Sequence, residues 1–192
     1  LPGYASGAFF VSDLAAQRAL EAFTPEGEVL ELCAAPGGKT AQLAEKTSRV
    51  VSVELDAARI TTLVENLSRL GIRDRVRIVR ADARRLPFKD ASTSAIVLDA
   101  PCSASGVARR RPDVWFRHTP ETIARFARTQ RAMLAEAWRV LAPGGKLLYI
   151  VCSLHPEETR AVVQDLTPNA ECHWLWPDEV QDGFFCALIQ KR

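Results

Sequence analysis

The chain reads as an α/β domain: a mostly parallel sheet with helices on both faces and an antiparallel strand at its C-terminal end. Three observations predict this. Five short apolar runs alternate with stretches of helical period, the rhythm of β-α-β units. The first run opens into a turn of small residues, Leu32 to Thr40, that leads into a short helical stretch. The rhythm breaks near the C-terminus, where two aromatic-rich runs are joined by a polar connection that carries no clear helix.

In order, the strands are expected at Glu28–Cys33, Arg49–Glu54, Val76–Arg80, Ser94–Asp99 and Lys146–Val151. Between the second and third, Ile60, Leu63, Val64, Leu67 and Leu70 recur at helical spacing and stop at Gly71, a C-terminal cap. Ile123, Phe126, Ala127, Gln130, Leu134, Ala137, Trp138 and Leu141 trace one face of a long helix, expected to end at Pro143-Gly144-Gly145. The final pair, Cys172–Trp176 and Phe184–Ile189, reads as a hairpin. Ser103–Thr119 shows no helix or strand period, and loops of that length in a compact domain are usually functional or disordered.

The 192 residues fit one domain with a real core, at 47% hydrophobic and 25% charged. Lys and Arg number 25 against 23 Asp and Glu, so the net charge of +2 neither demands nor excludes a nucleic-acid partner. The five cysteines form no CxxC pair; neither a disulfide framework nor a zinc site is expected, and a reducing, cytoplasmic setting is. No apolar stretch approaches a membrane span, and no signal peptide is recognisable. The chain begins at Leu1 rather than Met, and the expectation is a domain excised from a longer protein. Oligomeric state is not indicated.

Two cysteines stand at equivalent points. Asp99-Ala-Pro-Cys102 follows the fourth strand, and Cys152 follows the fifth directly. Parallel neighbours in one sheet would bring both thiols to one edge, within one or two strand spacings of about 4.8 Å. That carboxyl edge is where α/β sheets bind ligands. A free cysteine is more often a small buried hydrophobe, but the matched placement of two favours covalent chemistry.

At the other candidate site, Cys33-Ala34-Ala35-Pro36-Gly37-Gly38-Lys39-Thr40 would let a ligand approach the backbone. A P-loop needs glycine where Cys33 stands, and the G-x-G-x-x-G dinucleotide spacing is absent. An S-adenosylmethionine site needs only small residues here and an acid ending the second strand. Glu54 ends it, followed by Asp56, which reads equally as a helix cap. Asp82 after the third strand and Asp99 after the fourth complete an acidic series; Asp82 reads as an adenine contact or as an ordinary turn residue.

Taken together, CAAPGGKT at Cys33–Thr40, ELDAAR at Glu54–Arg59, ADAR at Ala81–Arg84, DAPCSASGVARRRPD at Asp99–Asp113, VCSLHPEE at Val151–Glu158 and DGFF at Asp182–Phe185 resemble the RNA cytosine-5 methyltransferases, most closely the Sun/Fmu (RsmB-like) ribosomal RNA group. The resemblance implies a class I (Rossmann-like) S-adenosylmethionine-dependent methyltransferase fold over residues 1–192. It also implies a cytosine carbon-5 activity on RNA, small-subunit ribosomal RNA first, with no metal. A transfer-RNA substrate and a non-catalytic assembly factor are the alternatives. A DNA cytosine methyltransferase would carry a Glu-Asn-Val motif, which the chain lacks.

By the same resemblance, Cys152 is the nucleophile that adds to cytosine carbon 6, Cys102 assists release, and Asp99 and the Pro101 carbonyl meet the base. Cys33 to Lys39, Glu54, Asp56, Arg59, Asp82 and Asp99 are the expected cofactor contacts. Lys39 and the Arg109-Arg110-Arg111 run are candidates for the positive potential a thiolate needs. Those arginines, with Arg117 and His118 around Trp115 and Phe116, fit an RNA contact; a solvated basic loop on a buried aromatic anchor is the competing reading. Two departures are visible. Val151 stands where the family commonly has threonine, which is expected to alter hydrogen bonding near the thiol, and Ser12 precedes Asp13 where glutamine is usual. Full-length members also carry an N-terminal RNA-binding domain, which is not expected within residues 1–192.

Overall fold

The computed structural model describes residues 1–168 and 170–192. Seven strands, β1 (Val29–Leu32), β2 (Val50–Glu54), β3 (Val76–Arg80), β4 (Thr93–Asp99), β5 (Leu141–Val151), β6 (Glu171–Leu175) and β7 (Phe184–Gln190), form one sheet in the order β3-β2-β1-β4-β5-β7-β6. The first five are parallel, while β7 runs antiparallel to both β5 and β6. The helices are α1 (Leu14–Arg18), α2 (Gly38–Lys46), α3 (Ala57–Arg69), α4 (Val114–Arg117), α5 (Pro120–Val140) and α6 (Arg160–Gln164). The α/β architecture and its antiparallel C-terminal strand are as expected. Because β1 lies between β2 and β4, the order reverses there, and the crevice at their carboxyl ends is the topological switch point.

Local chemistry sets the element ends. Asp56 caps α3 by accepting the Ala58 and Arg59 amides. The helix closes at Gly71 with φ +69°, where Ile72 N–H reaches Leu67 O at 3.0 Å. Thr119 and Thr122 form a capping box around Pro120 at the start of α5.

Two expectations are corrected. The long helix ends at Val140, and Pro143-Gly144-Gly145 lies inside β5 rather than before it. Thr93 pairs with Leu141 but Ala95 pairs with Lys146, so the Pro-Gly-Gly segment bulges out of the ladder. A Cβ on Gly145 would stand 2.9 Å from Ser94 O, so glycine is what lets the chain pass. The Ser103–Thr119 loop contains a 3-10 turn at Ser105–Val107 as well as α4. Both are too short to show a period.

The two faces of the sheet carry two cores. One packs Leu32, Val53, Leu98, Tyr149 and Val151 with Leu134 and Ala137 of α5. The other packs Val97, Leu148 and Ile150 with Phe23, Leu43 and Leu63. Leu98 is fully buried in the residue next to Asp99, so truncating it to alanine costs about 2–5 kcal/mol and loosens the strand end that carries the site.

Candidate active site

Register brings the two cysteines together. Asp99 is level with Ile150 on the neighbouring strand, and Ala100 N–H reaches Ile150 O at 2.9 Å. The loop after β4 therefore folds over the end of β5, and the Sγ atoms of Cys102 and Cys152 stand 3.4 Å apart. Gly106 N–H closes the arrangement on Cys152 O at 3.0 Å. Side chains alternate along a strand, so Val151 turns into the core opposite the thiol. The departure at that position thus concerns packing, not hydrogen bonding to Cys152.

The partners of the two sulfurs differ. Lys39, at the start of α2, donates to Asp99 Oδ2 at 2.8 Å and lies 5.4 Å from the Phe184 ring centroid. Burial opposes the Lys39 ammonium, but the Asp99 carboxylate outweighs it and holds the lysine pKa above its ordinary value. The Cys152 thiol is pulled below its ordinary pKa by the hydrogen bond from Cys102, with Lys39 assisting, against burial and Asp99. Cys102 is pushed well above its own by the same hydrogen bond and by burial. Of the two thiols, Cys152 is the one whose surroundings favour the thiolate and Cys102 the one whose surroundings favour the neutral form.

Behind the thiols, Glu158 is fully buried and accepts from both cysteine loops. Its oxygens take Ser103 N at 2.9 Å, Ser103 Oγ, Ser153 Oγ at 2.6 Å and Gln130 Nε2 at 3.0 Å. Gln130 also donates to Pro101 O at 2.9 Å, so the carbonyl expected to meet the base already has one donor. Sequence reading quoted Glu158 within a motif without giving it a role. The only signal was an acid six residues past Cys152, which a 3-10 turn at Pro156–Glu158 folds back.

On the other side, Cys33 (φ +63°), Ala34, Ala35, Pro36, Gly37 (φ +104°) and Gly38 form the turn from β1 into α2. A Cβ on Gly37 would reach Leu63 Cδ1 at 2.8 Å, and one on Gly38 would reach Phe10 at 2.7 Å. Burial pushes the Cys33 thiol up to about 12, which favours its neutral form. Glu54 is buried and fastened to this turn: Oε1 accepts Leu55 N at 2.9 Å and Asp56 N at 3.2 Å, and Oε2 accepts Ala35 N at 3.3 Å with Arg59 at 3.4 Å. Asp82 is held by Arg84, whose backbone and guanidinium both donate and keep the carboxyl below its ordinary pKa. Cys33, Glu54, Leu55, Asp82, Ala83 and Met133 line a small cavity. A wider cleft of about 490 Å³, lined by Trp138, Leu166 and Leu188, lies elsewhere and includes none of these groups.

The basic loop divides. Arg109 donates to Asp13 Oδ2 at 2.9 Å, and Arg110 donates to Asp182 Oδ2 at 2.7 Å through Nε. Both aspartates are buried, and Asp13 Oδ1 also accepts Asp182 N at 3.0 Å. These arginines thus clasp the N-terminal segment to the C-terminal hairpin, a part that sequence reading did not give them. Arg111 stands 3.8 Å from Asp113, which also pairs with Arg117. Trp115 (62%) and Phe116 (92%) are exposed, so neither is the buried anchor of the competing reading.

Comparison with known proteins identifies the family. Residues 19–184 match the family model described as 16S rRNA methyltransferase RsmB/F. Ribosomal RNA small subunit methyltransferase B from Vibrio cholerae is 39% identical over the whole chain, and its counterpart from Sodalis glossinidius is 43% identical. The chain spans about half the length of these relatives, 48% in both cases. The crystal structure of NSun6 from Pyrococcus horikoshii with SFG superposes with a TM-score of 0.85 at 30% identity, covering all of this chain and 55% of that one. With most of its length matched by the family model and its whole length by these relatives, the chain belongs to the 16S rRNA methyltransferase RsmB/F family.

Proposed function

We propose that this domain methylates carbon 5 of a cytosine in ribosomal RNA, with S-adenosylmethionine as methyl donor and Cys152 as covalent nucleophile. The observation that carries the proposal is the pair of thiols 3.4 Å apart at the carboxyl edge of the sheet, beside Asp99 and Lys39. Names of the relatives support the RNA class. Two differently ionised thiols at one point are what addition followed by elimination requires.

The residues present fit the cofactor. Asp56 caps α3 through Oδ1 and keeps Oδ2 for a ribose hydroxyl, beside Glu54. Cys33, Glu54 and Asp82 border one small cavity at the carboxyl ends of the strands, and the glycines of the 33–38 turn let Leu63 and Phe10 pack against the backbone. Arg59 supports this wall by pairing with Glu54. When bound, the cofactor supplies an electrophilic methyl group on a sulfonium.

Carbon 5 of cytosine is too weak a nucleophile until carbon 6 is attacked. The Cys152 thiolate forms a C–S bond to carbon 6, and Asp99, steadied by Lys39, receives the N3/N4 edge of the ring. Carbon 5 then takes the methyl group. Bonding to carbon removes the negative charge on Cys152 that kept Cys102 protonated, so Cys102 releases its proton to solvent. As a thiolate it removes the carbon-5 proton, the C–S bond breaks, and Cys152 leaves with its electron pair. The net products are the methylated base, the demethylated cofactor and one proton.

The test is a denaturing gel of wild type, Cys102→Ala and Cys152→Ala incubated with S-adenosylmethionine and unmodified small-subunit RNA. A nuclease-sensitive shifted band in Cys102→Ala alone is the expected result. Normal methyl transfer by Cys152→Ala overturns the assignment.

A further inference from the structure

We propose that Glu158 is a positioning residue: one buried carboxylate ties together the two thiol-bearing loops and sets negative charge behind Cys102. Its meaning for catalysis rests on the cytosine reading above; its geometry does not.

The clamp is visible residue by residue. Glu158 accepts from Ser103, the neighbour of Cys102, and from Ser153, the neighbour of Cys152. Ser105 reinforces the join, its hydroxyl lying 3.3 Å from Ser153 Oγ and accepting Leu154 N at 2.9 Å. Four donors reach the carboxylate, as many as its two oxygens have lone pairs. Tyr149 fixes its backbone by donating to Glu158 O at 2.8 Å. A carboxylate at 0% exposure is costly, and among the described residues no cation pairs with it. Neutral donors alone hold it, so its field is not cancelled locally. A leucine there would fill the space at lower cost, which points to use of the charge.

The charged and titratable groups around the sulfurs are few. Lys39 and Asp99 act on Cys152, and Arg110 adds positive potential from the loop. Glu158 acts on Cys102. Tyr149 feels the negative charge of Cys102 and Glu158 and the opposing positive charge of Arg131. At Cys152 the Asp99 carboxylate opposes Lys39 and outweighs it, so the asymmetry of the pair rests on the Cys102 hydrogen bond and on Glu158, which repels negative charge from Cys102.

Glu158→Gln separates charge from shape. The amide oxygen can keep Ser103 N and Gln130 Nε2, while its NH₂ group donates to the two serine hydroxyls, which rotate to accept. Limited iodoacetamide labelling, mapped by mass spectrometry across about pH 6 to about pH 9, reads where the thiolate resides. In wild type Cys152 is labelled ahead of Cys102. In Glu158→Gln that preference is expected to fall about tenfold, the population change that one pKa unit represents. An unchanged preference and pH profile in folded Glu158→Gln overturns the charge role.

Ser153→Ala tests the clamp with the charge retained. Labelling should still favour Cys152, whereas closure of the Cys102–Cys152 disulfide by diamide, which accepts the two thiol hydrogens, should slow. Closure at the wild-type rate overturns the clamp, whether or not Glu158→Gln folds. Neither readout needs methyl transfer. A shifted labelling preference together with an active Cys152→Ala would therefore sink the cytosine reading while leaving this one standing.

Discussion

The thiol edge and the basic loop that follows it are separated by a handful of residues, yet they use charge in opposite ways. At the edge, every polar group is half or fully buried and faces a partner close in space: Cys102 with Cys152, Lys39 with Asp99, Glu158 with two serines. In the loop, Arg109 and Arg110 are turned inward onto buried aspartates, and the aromatic side chains of α4 are turned outward. An arginine run looks like a nucleic-acid surface and an aromatic pair looks like core. Here each does nearly the reverse, because the partner and not the residue type fixes the role.

The largest expected effect lies at the thiol edge. Cys152→Ala should lower methyl transfer by on the order of 10⁴ or more, the range for removal of a nucleophile. Single-turnover transfer of labelled methyl to RNA measures it. If Cys102→Ala loses activity equally and traps no adduct, the two thiols are equivalent and their contrasting ionisation is without consequence.

The next test breaks the comparison from the loop side. Arg109→Ala combined with Arg110→Ala leaves Asp182 buried without a cation, which should destabilise the fold by about 3–5 kcal/mol in urea unfolding. A purely RNA-facing pair of arginines would leave the unfolding midpoint unmoved. Asp182→Ala should cost less, since both guanidinium groups are part-exposed and can turn to water.

Beneath both regions lies a buried carboxyl with only neutral donors. Glu31 in β1 accepts Thr40 Oγ1 at 2.6 Å and Ser52 Oγ at 2.8 Å on one oxygen, while the other has no partner among the described residues. Burial, outweighing those two bonds, pushes it up to about 7. The folded state therefore binds the proton more tightly than the unfolded chain, and stability falls as pH rises between about 4.5 and about 7. The loss amounts to about 3 kcal/mol at most. Glu31→Gln should flatten that part of the profile and raise stability at neutral pH; a Tm with the same pH dependence in both proteins would refute it.

Most of the scaffold was legible because its signals are local. Strand runs, the Gly71 stop and the cysteine placement all follow from a few consecutive residues, and β1–β4, β6 and β7 appear within a residue or two of expectation. The start of β5 was not, since Pro143-Gly144-Gly145 looks like a helix stop whether or not the chain is still bonded to its neighbour. Glu158 and Asp182 were hidden for a different reason. Their roles depend on partners up to 169 residues away, as in the contact between Asp13 and Asp182, and no period or motif records such a pairing.

The smallest expected effect is the one that separates the outward face of the loop from its inward face. Phe116 is almost fully exposed at the end of a four-residue helix, flanked by Arg117 and, through Asp113, by Arg111. Such a ring contributes nothing to the core, so Phe116→Ala should change unfolding free energy by less than about 0.5 kcal/mol. If it stacks on a base of a single-stranded segment, the same change should weaken RNA binding by about 1–3 kcal/mol. Filter binding at two salt concentrations distinguishes stacking from charge. Loss of a stacking ring lowers affinity without changing the slope against log salt, whereas loss of a phosphate contact flattens that slope. An unchanged affinity in Phe116→Ala would confine this loop's role to its clasp and leave the thiol edge as the sole functional end of the segment.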